Sequence, residues 1–326
     1  MSASRYSGVG TGTAPAANQL PVWPASAYDS MMSNQEVANR IRTPAVAWFA
    51  VFVFARLYTA VLNDFLGRIL GLDFISYTWI HGIPTYLWLE IIFYGPIIWL
   101  ALTQVNADVF GDVPTEPEAL RKHRRLQFIA TFAIAILIYG IGIHVTDTIS
   151  VLSEREQMTD GPVYDLTYFL DEGLSHYIQF FPLFFVMGWF LIHDRPGRTG
   201  YPYIALFLGV VHGIERGVGI IEGEKWFLGP AVIVWMAIAA WLRWRRVGSA
   251  VFAEFFFRHA VAFCVILPVC QVVYFIWFDS FPPPSRLSDS EITQMAVGAV
   301  LLTVVGTAVF GALDRWWNKR RLAPVT

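Results

Sequence analysis

Charge is what this sequence has least of. Only 15% of its 326 residues are Asp, Glu, Lys or Arg, where a soluble domain carries about 25%. Net charge is −2 and the pI is near 6.4, so no overall basic balance points to nucleic acid. Cysteine is scarce as well. Cys264 and Cys270 are the only two, and six residues apart in one expected helix they point to different faces, which argues against a mutual disulfide. They read as small buried apolar residues and carry no information about compartment. No internal repeat stands out, which weakens an inverted-repeat transporter reading. Residues 1–40, rich in Ser, Ala, Gly and Pro, lack the apolar core of a signal peptide and read as a disordered cytoplasmic tail.

What the sequence has instead is apolar length. It is 56% hydrophobic, with a mean hydropathy of +0.50. Eight apolar stretches, approximately 43–63, 82–103, 126–146, 168–192, 201–221, 227–245, 257–278 and 293–313, approach the roughly 20 residues that cross a bilayer. The expected fold class is all-α: a multi-pass integral membrane helix bundle of about eight transmembrane helices over 41–320, followed by a short cytoplasmic tail at 321–326. Aromatic content of 16% suits belts at the two interfaces, as at Trp241 and Trp244 or Trp316 and Trp317. With the N-terminus inside, 17 of the 23 basic residues fall on inner segments, among them the run "RKHRR" at 121–125, and only Arg68, Arg155, Lys225 and Arg286 fall outside. The positive-inside rule then puts both termini in the cytoplasm.

The seven histidines divide by depth. His123, His193 and His259 sit beside arginines at the inner boundary. His81, His144, His176 and His212 are expected near the outer ends of their helices. Three consecutive helices, the third, fourth and fifth, pair such a histidine with an acid three or four positions away: His144 with Asp147, Glu172 with His176, and His212 with Glu215. Residues so spaced share a helix face, and ionisable groups inside a membrane helix are costly and mark function by default. One membrane histidine is usually just a hydrogen-bond partner; three such pairs at one depth point to a site.

Three imidazoles and a carboxylate suit zinc, which as a catalytic ion keeps one position for a water and lowers that water's pKa to about 7. The expected ligands are His144, His176, His212 and Asp171, with Asp171 the fourth ligand or the general base; Glu172, Asp147 and Glu215 orient the imidazoles, and Asp171, Glu172 and Glu215 are the expected catalytic residues. The stretches "GIGIHVT" and "YFLDEGLSHY" resemble part of the signature of the alkaline ceramidases, in the CREST superfamily of membrane hydrolases. The resemblance implies zinc-activated water cleaving an amide, with His144 and Asp171 as metal ligands. His176 and His212 as remaining ligands come from the residue pattern alone. A membrane lipid or lipophilic small molecule is the expected partner, reaching an outward-facing site sideways, with Asn63, Asp64, His81 and Glu90 around its mouth.

Two other chemistries use the same stock. A carboxylate-bridged di-iron or di-manganese oxidoreductase also draws Glu and His from facing helices, although the usual Glu-x-x-His order is absent. A proton-linked transporter could use the groups as a relay, extended by Arg56 and Glu90. Against transport, the inner halves of helices three to five, such as "FIATFAIAIL", are expected to be apolar. The orientation has a direct check. A reporter active only in the cytoplasm should be active when fused after Thr326 and silent when inserted between Gln157 and Gly161; the reverse pattern would invert the topology.

Overall fold

The computed structural model describes residues 43–55, 79–80, 83–84, 88, 90–146, 149–150, 153, 157–195, 199–282 and 287–322. The chain divides into two units, Met1–Asn39 and Arg40–Thr326, and every described residue belongs to the second. The protein is an all-α bundle. Its helices are α1 (Thr43–Ala55), α2 (Gly95–Val109), α3 (Pro117–Ile143), α4 (Pro162–His193), α5 (Pro202–Glu222), α6 (Leu228–Val247), α7 (Phe255–Phe278) and α8 (Asp289–Leu322). Five of them, α3, α4, α5, α7 and α8, are long and apolar enough to cross a membrane. That makes the chain a multi-pass membrane protein.

Helix starts follow the prolines. Four helices carry Pro in their first two positions, at Pro96, Pro117, Pro162 and Pro202, where the missing N–H costs nothing and the fixed φ suits the helix. These prolines also correct two expected boundaries. α3 begins at Pro117 and takes the basic run 121–125 into its first turns, and α4 begins at Pro162, before its apolar stretch. α2 is preceded by a π turn, Glu90–Tyr94, so Glu90 opens that turn. A two-residue antiparallel pairing, Trp79–Ile80 with Ile83–Pro84, lies ahead of it.

The bundle centre is aromatic: Phe49, Phe52, Phe180, Phe190, Phe255 and Phe263 are all fully buried. Its tightest seam joins α5 to α7. Gly209, Gly213 and Gly217 recur every fourth residue and so lie on one face of α5. Side-chain carbons added there would fall 2.8 Å from Ala262 Cβ, 3.0 Å from Ile266 Cβ and 3.1 Å from Cys270 Cβ. Glycine is needed at these positions because the neighbouring backbone occupies the space, as in other small-residue membrane seams. Residue numbers rise together on both sides, so α5 and α7 run in the same direction.

At the far end of α4, charge replaces close packing. Arg243 of α6 donates from Nε and Nη2 to the two carboxylate oxygens of Glu254, each at 2.7 Å. Its Nη1 and Nη2 also donate to the carbonyls of Asp194 and Arg195, and Arg246 donates to the carbonyl of Ile192 at 3.1 Å. Carbonyls at a helix C-terminus have no intrahelical donor, so these arginines complete α4 and tie it to α6 and the start of α7. Arg258 of α7 is held to Asp314 of α8 at 2.8 Å. Several charges of the expected inner basic belt are thus buried structural pairs.

The seam predicts a contrast. Gly209→Val should lower stability by about 1–3 kcal/mol through overpacking, read as a lower melting temperature in detergent. Gly142→Ala, where an added carbon meets nothing within 4 Å, should leave that temperature unchanged or raise it.

Candidate functional site

The end of α3 is brought against α4 by another glycine. A carbon added at Gly140 would lie 2.9 Å from the backbone of Ile178 and Gln179, and Gln179 donates to the Gly140 carbonyl at 3.4 Å. One turn on, His144 ends α3 and enters a short 3₁₀ turn, His144–Thr146. On the α4 side, Phe169–Ser175 winds as a π-helix. Such a turn bonds i to i+5 and is frequent at functional sites. It stacks residues five apart, so Asp171 joins His176 on one face. Ser175 donates its hydroxyl to the Asp171 carbonyl inside the turn.

Four expected residues therefore meet. His144 Nε2 lies 3.6 Å from Asp171 Oδ1. The His144 and His176 rings stand 5.6 Å apart, nearly edge to face. His176 Nδ1 lies 3.0 Å from the Glu172 carbonyl and 3.6 Å from its carboxylate, and the ring stacks on Phe180 at 5.8 Å. Gly223, just past α5, leaves room for that ring, since an added carbon would sit 3.1 Å from His176 Cγ. Asp171 and His176 are buried, His144 is partly open at 21%, and Glu172 is the most open at 36%.

His212 stands elsewhere. It lies in the middle of α5, fully buried, with Nδ1 3.3 Å from His259 Nε2. Phe52 and Phe263 each approach it at 5.2 Å. Gly223, which touches His176, is eleven residues further along, about 16 Å at 1.5 Å per residue. Zinc ligands lie only about 2.0–2.3 Å from the ion, so one ion cannot hold both His176 and His212. The expectation of one outer depth is corrected here for His212, which lies in the middle of α5 beside His259 and away from the end of α5 that meets His176. Glu215 belongs with His212 too, paired to Arg216 at 2.6 Å, both nearly buried.

Asp147, His81, Arg56, Asn63 and Asp64 lie outside the described residues. Among the described residues, no three His, Cys, Asp or Glu side chains are already set around one point where a metal could sit. His259 is the residue that sequence reasoning missed. The signal for it was the glycine spacing beside His212, which fixes what α7 must place opposite. No family model matches the chain, and no curated protein or solved structure is similar to it.

Proposed function

We propose that the chain is a metal-dependent membrane hydrolase acting on a lipid-like amide or ester, with His144, Asp171 and His176 as its metal ligands and zinc as the ion. The observation that carries this reading is the 3.6 Å between His144 Nε2 and Asp171 Oδ1. That gap is too long for a hydrogen bond, which spans about 2.7–3.2 Å. It is close to the edge of about 3.3 Å between two ligands of a tetrahedral ion bound at about 2.0–2.1 Å. His176 adds a second feature of metal-binding histidine, a ring nitrogen, Nδ1, set 3.0 Å from a backbone carbonyl. Closing the shell requires His176 to turn Nε2 onto the His144–Asp171 pair.

Zinc would supply an acidified water and polarise the carbonyl under attack. Glu172, the most open of the four, would accept the proton of the attacking water as its oxygen joins the carbonyl carbon, and would return that proton to the amine or alkoxide as its bond to that carbon breaks. Tyr139, Leu166 and Phe169 beside the cluster are exposed and offer an apolar approach for an acyl chain. With the Arg243–Glu254 end of α4 inside, the cluster opens toward the outer leaflet and both termini are cytoplasmic.

Metal content by plasma mass spectrometry on detergent-purified protein without a histidine tag tests this. The expected result is about one zinc per chain, lost in His144→Ala and Asp171→Asn and kept in His212→Gln. No stoichiometric metal in protein never exposed to chelator overturns the proposal. About two iron or manganese per chain would replace it with the di-metal oxidoreductase.

A further inference from the structure

The His212–His259 pair takes no part in that chemistry, yet it is the most deeply buried pair of imidazoles among the described residues. Both rings are enclosed by apolar aromatics: Phe49 against His259 at 4.8 Å, and Phe52 against His212 at 5.2 Å. Phe263 packs on both, at 6.2 and 5.2 Å. His212 Nδ1 and His259 Nε2 face one another at 3.3 Å, while His212 Nε2 is buried with no hydrogen-bond partner among the described residues. Two imidazoles joined nitrogen to nitrogen, with a further buried nitrogen open at one end, form a segment of a proton wire.

The surroundings extend it in both directions. One turn along α5 lie Glu215 and Arg216, ion-paired at 2.6 Å. The next polar residue on α5 is Glu222, at the end that meets the His144–His176 cluster. Toward the other end, His259 is followed back along α7 by Arg258, held to Asp314 of α8, and by Glu254, held to Arg243. The rings that α1 and α4 bring to the pair among the described residues are phenylalanines, Phe49 and Phe52 directly and Phe184 through Phe263. Ionisable groups thus recur along α5 and α7. Intramembrane His/Asp/Glu series of this kind make proton relays.

We propose that His212 and His259 form a proton-transfer pair at the centre of the bundle, through which the chain passes protons between the two ends of α5 and α7. Each passage is balanced. A proton adds to His212 Nε2, the hydrogen on His212 Nδ1 crosses the 3.3 Å gap to His259 Nε2, and His259 releases the proton on its Nδ1. Both rings are then in the opposite tautomer, and turning them over resets the pair.

The test is proton flux into lipid vesicles carrying the full chain and a trapped pH-sensitive dye, driven by a potassium diffusion potential. Wild-type vesicles should change internal pH faster than protein-free vesicles. His212→Gln and His259→Gln, checked for folding by their melting in detergent, should fall to the protein-free rate. A wild-type rate equal to that of protein-free vesicles overturns the proposal, as does a folded Gln variant that keeps the wild-type rate. Should neither variant fold, heavy water decides: transfer through the pair requires a slower wild-type flux in deuterated buffer, and an unchanged flux sinks it. The metal content of the cluster is a separate readout, so failure here and failure of the hydrolase reading are distinguishable.

Discussion

The rest of the bundle is arranged around the close approach of α5 and α7. With only hydrogen at Gly209, Gly213 and Gly217, the two helices meet almost backbone to backbone, and dispersion between closely fitted surfaces is the main attraction available inside a membrane. That contact fixes the register of α7 on α5. From the register follows the depth of His259, and so the partner of His212. α8 then packs on the outside of the same two helices, secured at one end by Asp314 on Arg258.

A second glycine approach, at Gly140, does for α3 and α4 what the first does for α5 and α7. The two junctions divide the ionisable residues into two groups of different character. One is a partly open cluster of two imidazoles and two carboxylates where α3 meets the π turn of α4. The other is a closed imidazole pair in an aromatic shell. The first has ligand-like spacing and an apolar approach, which suits chemistry on a lipid. The second is enclosed by Phe49, Phe52 and Phe263.

Much of this was legible in the sequence. Apolar length gave the helical membrane class, and the five helices long and apolar enough to cross a membrane fall on five of the eight expected stretches. The three- and four-residue spacing rule picked out His144, Glu172 and His176, which the structure brings together, and with them His212 and Glu215, which it does not. It could not foresee that Asp171 would share a face with His176, because that depends on the π winding of 169–175, and five-residue neighbours do not exist on a regular α-helix. The start of α4 was hidden as well, since "PVYDLTY" is too polar to read as membrane helix.

Depth was the least legible quantity. Counting inward from apparent helix ends placed His212 near one boundary and His259 near the other. Those ends were set by apolar composition, whereas the real position of α7 is set by where its small and branched residues fit the glycines of α5. The buried arginines made the same estimate harder. Arg243 and Arg258 look like interfacial charges in sequence, yet they are enclosed because Glu254, Asp314 and the open carbonyls of α4 give them partners.

The α5–α7 register is most directly tested by cross-linking in the membrane, with Cys264 and Cys270 replaced by alanine. Gly213→Cys with Ile266→Cys should form a disulfide on oxidation, since the carbons involved are 3.0 Å apart and a separation of a few tenths of an ångström brings them into the roughly 3.5–4.5 Å range that a disulfide spans. His176→Cys with His212→Cys should remain unlinked. A disulfide in the second pair but not the first would contradict the seam, the separation of the two histidine groups, and the functional readings that depend on it.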